Sequence, residues 1–186
     1  MTNNSNVTAT RGVRRLSPVL CALAVALFAV GLASGWYEYL HRSPAREAQV
    51  PGTSAWPAHL ALAAVACAWY AAARWRRRHQ VGPRGGQLLL CAPLGQSAAG
   101  RLAATAWPAS WRTVAALPPL ALVAYGFWRA GKQVTSGLDP NNVVNAWGGP
   151  TYLGAMACHY LDAGLIIAAC AWLLARILLP ARGKGT

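Results

Sequence analysis

The chain has 186 residues, of which 55% are hydrophobic and 11% are charged. About a quarter of the residues of a soluble globular domain are charged, so this composition excludes an ordinary soluble domain and indicates a membrane protein. Seventeen Lys and Arg residues oppose four Asp and Glu residues. The basic residues cluster at the ends of apolar segments, where they direct membrane topology, and we therefore predict no nucleic-acid partner.

Two apolar segments in the first half of the chain are long enough to span a bilayer. A polar cytoplasmic tail, 1–15, precedes the first of them at 16–36. About 20 residues cross a hydrocarbon core roughly 30 Å thick, so we predict a transmembrane helix here. A cleaved signal peptide is the alternative, although the apolar segment is longer than the usual signal-peptide core. An outer loop at 37–55 leads to a second predicted helix at 56–73.

The second half begins with a basic cytoplasmic loop at 74–112. Its middle part, 87–108, is apolar only in short pieces, so we predict a segment at the membrane interface, with a re-entrant segment as the alternative. A third helix is predicted at 113–129, where two adjacent prolines would kink it. The remaining predicted elements are an outer Asn/Gly/Pro loop at 130–150, a fourth helix at 151–175 and a cytoplasmic tail at 176–186.

The distribution of positive charge predicts the orientation of these helices. With the N-terminus inside, the inner segments hold 13 Lys and Arg residues and the two outer loops hold 4. Such a bias places both termini in the cytoplasm. The predominance of Arg over Lys and the abundance of Ala suggest a bacterial chain. We therefore predict an all-α integral membrane four-helix bundle with one cytoplasmic interfacial loop segment, a multi-pass protein of the inner (plasma) membrane.

Two features indicate contacts beyond the chain itself and the lipid bilayer. Gly31 and Gly35 form a G-x-x-x-G pattern that allows close approach of another helix, which favours a protein partner or a homo-oligomer. The run Arg74–Arg78 is typical of a stop-transfer anchor near anionic lipid, where each basic residue contributes about 1 kcal/mol.

A polar face on the predicted fourth helix is the clearest candidate for chemistry. Asp162 lies 11 residues after the helix start, about 16 Å along the axis, and a carboxylate at that depth is usually functional. His159 and Tyr152 share its face, and His59 and Tyr70 share a face of the second helix. We predict that these five residues form a polar cluster within the membrane.

Other polar residues are predicted at the outer ends of the helices. Arg129, Glu38 and His41 are positioned there to reach the polar cluster as outer partners. The outer loop carries turn residues before the fourth helix, and we interpret them as structural rather than as a binding site. They are Asn145, Trp147, Gly148, Gly149 and Pro150, and Thr151 follows them as a predicted N-cap.

Several functions fit this polar face. In the favoured hypothesis Asp162 bonds a histidine, Arg129 or a tyrosine and so fixes helix packing in a structural or assembly subunit, without enzyme activity. A proton- or ion-coupled solute path would use Asp162 with His159. A redox or metal protein would use His59 and His159 as ligands of haem or of a copper-type ion.

A membrane enzyme is the remaining hypothesis, with His159 as base and Asp162 as the group that orients it. It lacks a nucleophile, because Cys158 is predicted to point away from the His159 face by about 100°. The five cysteines form no C-x-x-C pattern, and we interpret them as small buried hydrophobic residues.

Overall fold

The structure is a computed structural model that describes residues 16–81, 92–107 and 110–180. The predicted tail 1–15, residues 82–91 and 108–109 of the predicted basic loop, and residues 181–186 of the predicted C-terminal tail lie outside the described residues.

The described residues form helices and connecting loops, so the predicted all-α class is confirmed for these ranges. The elements are α1 Pro18–Leu40, α2 Trp56–Val81, a 3₁₀ turn at Ala92–Leu94, α3 Gln96–Ala106, α4 Trp111–Ser136, α5 Pro140–Val144 and α6 Tyr152–Ile177. Three helix starts carry a side-chain N-cap, from Ser17, Asp139 and Thr151 respectively. The predicted N-cap at Thr151 is therefore confirmed, since its hydroxyl accepts a hydrogen bond from the Gly154 N–H.

Among the described residues, three helices are long and apolar enough to cross a membrane, namely Pro18–Leu40, Trp56–Arg76 and Tyr152–Ile177. The prediction of a membrane protein is consistent with this finding. Helix α4 is as long as these, with 26 residues, and extends beyond both ends of the predicted third span. It is not among the three, because two prolines and the basic residues near its ends lower its mean hydropathy.

Helices α1 and α4 pack against each other through glycines. A β-carbon on Gly31 would overlap the carbonyl oxygen of Trp128, and one on Gly131 would overlap that of Phe28. Gly35 lies equally close to α4 one turn later. Residue numbers rise together along both helices, so the pair is parallel. The close approach that Gly31 and Gly35 permit is thus used inside the chain, while a homo-oligomer stays a prediction.

Helix α6 runs antiparallel to α4. The hydroxyl of Tyr152 donates to the carbonyl of Val134 at 3.1 Å, and the hydroxyl of Tyr160 donates to that of Ala130 at 3.2 Å. At the opposite end of the two helices, buried Ala116, Leu174 and Leu178 form a small apolar core. Helices α1, α4 and α6 therefore form a packed core of three helices.

Helix α3 closes one end of this core, within the segment that the sequence predicts as an interfacial loop. Arg101 donates hydrogen bonds to three carbonyls at the C-terminal end of α6 and just after it, those of Ala175, Leu178 and Leu179, at 2.8, 2.6 and 3.1 Å. Arg112 donates to the carbonyl of Ile177 at 2.8 Å. Helix C-termini leave such carbonyls without partners and carry partial negative charge, so two guanidinium groups stabilise this end.

Helix α2 makes its main contact with α6 and is otherwise largely exposed. The two helices begin at the same end of the molecule, where α1 and α4 end. We call this the loop end, and the opposite end the α3 end. The four-helix bundle predicted from the sequence is, in the described ranges, a core of three helices with α2 attached near its first turns.

Candidate functional site

Two asparagines join the connecting segments at the loop end. The Asn141 side chain accepts from the Glu47 N–H at 3.0 Å and donates to the Ala45 carbonyl at 2.7 Å. Asn145 repeats the arrangement, accepting from Val50 at 2.8 Å and donating to Ala48 at 3.3 Å. Each side-chain amide accepts one backbone hydrogen bond and donates another, as the backbone of a neighbouring β-strand would. These bonds hold the segment 45–50 against α5.

The residues after α5 hold the start of α2. The Ala55 N–H donates to the carbonyl of Trp147 at 2.8 Å, and the Trp56 indole N–H donates to the carbonyl of Gly148 at 2.9 Å. Gly148 is buried, and a β-carbon there would overlap the carbonyl oxygen of Gly154. Gly149 has a φ of +89°, a conformation that favours glycine.

These contacts bring His59 of α2 onto Asp162 of α6. The Nε2 atom of His59 lies 3.1 Å from one carboxylate oxygen of Asp162 and 3.2 Å from the other. Its Nδ1 atom lies 2.8 Å from the carbonyl oxygen of Ala55, and the ring of Trp147 packs against it with centroids 5.8 Å apart. The His59 side chain is 6% exposed and that of Asp162 is 28% exposed, so the pair is largely shielded.

The hydrogen bonds of His59 indicate where the protons of this pair lie. A carbonyl only accepts, so Nδ1 of His59 carries a proton that it donates to Ala55. Nε2 faces the carboxylate at hydrogen-bonding distance, so a second proton lies between Nε2 and Asp162. The pair is electrically neutral whether that proton belongs to the ring or to the carboxyl group. Neutrality lowers the free-energy cost of burying it in an apolar environment.

Cys158 joins the pair, which corrects the prediction that it points away. Its sulfur, Nε2 of His59 and a carboxylate oxygen of Asp162 all lie within 4.8 Å of one another. The predicted angle was measured from His159. At about 100° per residue, Asp162 lies about 40° from Cys158 and about 60° from His159 on the other side. Helix α2 docks on the Cys158 side, and Cys158 is 1% exposed.

His159 faces a different environment from the one predicted. It lines a polar cavity of about 520 Å³ at the loop end, between α1, α4 and α6. Glu38 and Lys132 form an ion pair in the wall of this cavity. Within the described ranges, neither Arg129 nor His159 makes a side-chain hydrogen bond or ion pair. Neither residue therefore bonds the His59–Asp162 pair, although His159 is one turn from Asp162 along α6.

The other predicted site residues have structural contacts or lie apart. His41 lines the cavity, and its Nδ1 atom is 2.8 Å from the carbonyl oxygen of Tyr37. The Tyr152 hydroxyl donates its hydrogen bond to α4, as described above. Tyr70 lies 11 residues after His59, about 16 Å further along α2, and Pro150 is exposed. The Tyr152 hydroxyl therefore bonds α4, and Tyr70 lies further along α2 than His59.

Several residues that line the polar cavity were not predicted from the sequence as site residues. Lys132 was counted only as a topology signal, and buried Gln133, Ser136 and Asp139 carried no periodic pattern that would distinguish them. The Asp139 carboxylate also accepts from the Asn141 N–H at 3.0 Å as the N-cap of α5. The one available signal was the Asp-Pro pair, which is typical of a helix start.

Comparison of the chain with protein-family models, with curated proteins and with solved structures finds no match.

Proposed function

We propose that the chain is a structural or assembly subunit of a bacterial inner membrane, in which the His59–Asp162 pair fixes the position of α2. In this proposal four helices cross the membrane, the loop end is periplasmic, and both termini are cytoplasmic. The observation that carries it is the shielded contact of His59 Nε2 with both oxygens of Asp162. A satisfied, neutral pair between two helices supports a role in packing rather than in proton transfer.

The packing of α4 supports the fourth span. At 1.5 Å per residue its 26 residues extend about 39 Å, and it lies between α1 and α6, which are both long and apolar enough to span. A helix packed along two spanning helices shares their depth in the bilayer. Arg101, Arg112 and Arg176 lie at the α3 end, which supports a cytoplasmic position for that end and for the anionic-lipid contact of Arg74–Arg78.

The surface of α2 supports a protein partner. Leu62, Val65 and Trp69 lie within about 60° on one face, which is centred about 90° from His59 around the helix, and each is more than half exposed. The helix has few neighbours in its own chain, while its first turns are held by hydrogen bonds and by the His59–Asp162 pair. A helix that is fixed at one end and uncovered along its length is suited to packing against a second membrane protein.

Replacing Asp162 with leucine is expected to lower the recovery of a larger complex with the tagged, full-length chain in mild detergent. Polar contacts between membrane helices contribute about 0.6–2 kcal/mol, so we expect α2 docking to weaken about 3- to 30-fold. His159→Leu is the matched control, because His159 is on the same helix but does not contact His59. Size-exclusion chromatography with mass spectrometry measures the recovery.

Two triple variants locate the partner surface in the same experiment. Alanine at Leu62, Val65 and Trp69 of α2 should abolish recovery of the partner. Alanine at Val19, Leu23 and Val30, which form an equally exposed face of α1, should leave it unchanged. Equal recovery with both triple variants, or a chain that purifies only by itself, would contradict the assembly role.

A second candidate function, the binding of a small anionic solute, is supported by the polar cavity. Its wall contains Arg129, whose guanidinium has no ion-pair or hydrogen-bond partner in the described ranges, beside the His159 ring. The nearby Lys132 is already paired with Glu38. A guanidinium binds a carboxylate through two parallel, charge-assisted hydrogen bonds. This function would use His159 without Asp162.

Acetate is expected to raise the melting temperature of the purified protein more than acetamide does at equal concentration and ionic strength. The two probes have similar shape, and only acetate carries the charge that Arg129 would bind. Arg129→Gln should remove the difference, whereas Arg46→Gln, at another basic position of the loop end, should retain it. Equal stabilisation by the two compounds would rule out the anion site.

A further inference from the structure

The cluster around Asp162 contains three different ligand atoms for a metal ion. They are an imidazole nitrogen, a thiol sulfur and a carboxylate oxygen, all within 4.8 Å of one another. These are the three ligand types that proteins offer to zinc. We propose that His59, Cys158 and Asp162 bind a divalent, borderline-soft cation of the Zn²⁺ type, joining α2 to α6.

The second hydrogen bond of His59 supports this proposal independently of the distances. Histidines that bind metals usually donate their other ring N–H to a carboxylate or a backbone carbonyl, which fixes the ring and directs the free nitrogen at the ion. Nδ1 of His59 makes such a bond with the carbonyl of Ala55 at 2.8 Å. The ring is therefore already oriented with Nε2 towards Cys158 and Asp162.

The distances require little rearrangement. Zinc bonds of about 2.0–2.3 Å in a tetrahedral arrangement place ligand atoms about 3.3–3.6 Å apart. Nε2 of His59 and the nearest oxygen of Asp162 are 3.1 Å apart. Since all three ligand atoms already lie within 4.8 Å, the sulfur of Cys158 needs to approach by about 1 Å, which small side-chain rotations provide. The partly exposed side of Asp162 leaves room for water as a fourth ligand.

Charge selects a divalent ion. A thiolate and a carboxylate carry two negative charges, which a divalent cation cancels, whereas a monovalent ion would leave net charge in an apolar environment. The exchange is balanced: one M²⁺ enters, and two protons leave, one from the Cys158 thiol and one shared by His59 and Asp162. The cluster is neutral before and after. No electron transfer is involved, and His159 takes no part.

The metal proposal uses the same geometry as the proposed packing role but does not depend on an assembly partner. Without metal, one proton shared by His59 and Asp162 joins α2 to α6. A metal ion bound to ligands on both helices would strengthen this attachment of α2. Occupancy would then make the position of α2 dependent on the concentration of the free cation.

Titration of the full-length protein in detergent with Zn²⁺ and with Co²⁺ tests the site. We expect one equivalent of metal per chain, a rise in melting temperature with Zn²⁺, and with Co²⁺ the near-ultraviolet charge-transfer band of a cobalt–thiolate bond. Cys158→Ser should remove the band. Removing a direct ligand should weaken binding by more than about 100-fold, beyond the 10- to 100-fold typical of outer-shell changes.

Matched controls separate the site from other cysteines and histidines. Cys170→Ser changes another buried cysteine of α6, and His159→Gln changes another histidine of α6; neither should alter stoichiometry, affinity or the cobalt band. Cys158→Ser replaces one atom, and its metal-free melting temperature shows whether the fold is retained. Wild-type protein that binds less than half an equivalent, or a cobalt band that persists in Cys158→Ser, would overturn the metal site. Displacement of α2 by Asp162→Leu would still hold in that case, so the two proposals fail separately.

Discussion

Valine at Gly131 is expected to separate α1 from α4 and to destabilise the protein strongly. A β-carbon at this position would overlap the backbone carbonyl of Phe28, which no side-chain rotation can relieve. Overpacking of a close contact costs about 1–3 kcal/mol, and a branched side chain against backbone belongs at the upper end of that range. Unfolding in mixed micelles of increasing SDS content measures the loss in the free energy of unfolding.

Gly164 provides the control for this substitution. It also lies in a long helix, but a β-carbon there has no atom within 4 Å in the described part of the chain. Gly164→Val should therefore change the free energy of unfolding by less than about 0.5 kcal/mol, as surface changes usually do. Because the clash at Gly131 is with backbone, a second substitution, Phe28→Ala, should not rescue Gly131→Val. Rescue would show that the helices do not approach as closely as described.

Methionine at Arg101 is expected to unravel the end of α6 and to cost about 2–3 kcal/mol. The guanidinium donates to three carbonyls of that end, and hydrogen bonds with a charged partner contribute about 1.5–3 kcal/mol each before partial exposure is taken into account. Methionine keeps the length of the side chain and removes the donors. Hydrogen exchange at residues 174–179 should accelerate, and the melting temperature should fall.

A series of arginines tests the explanation. Arg112→Met removes one hydrogen bond to Ile177 and should have a smaller effect. Arg42→Met should have the smallest, because Arg42 is exposed just after α1 and bonds only the nearby carbonyl of Tyr39. Arg101→Lys should recover only part of the stability, since one ammonium group does not match the planar fork of a guanidinium. Equal effects at Arg101 and Arg42 would contradict helix capping and point to net charge alone.

Much of the helical content was predictable because it depends on local sequence. Long apolar runs, prolines in first turns and the Thr151 cap indicate where helices begin, and they do so without knowledge of the fold. The unusual position of Asp162 was also visible, since a carboxylate stands out in an apolar helix. Sequence periodicity gives the angle of each residue around its own helix. It does not show which neighbouring helix packs against which face.

Because the neighbouring helix on each face was unknown, the sequence did not show which side chains Asp162 contacts. Asp162 lies between Cys158 and His159 around α6, so either neighbour could have shared its site. Helix α2 packs on the Cys158 side, and the cavity with α1 and α4 opens on the His159 side. Arg101 was predicted only as a positive charge, because its role depends on α3 meeting the end of α6, a contact between residues more than 70 positions apart. Such contacts follow from packing and leave no periodic signal.

The hydrogen bonds of Asn141 and Asn145 join segments that are made at different times during translation. Asn141 and Asn145 bond a segment that precedes them by more than 90 residues, and the groups that hold the start of α2 all belong to the last third of the chain. In the proposed topology α2 therefore enters the membrane during translation before any of these groups exists. Until α6 arrives, His59 lacks its contact with Asp162. Whatever assists membrane insertion in the cell would meet α2 during that interval, while its whole surface is still open.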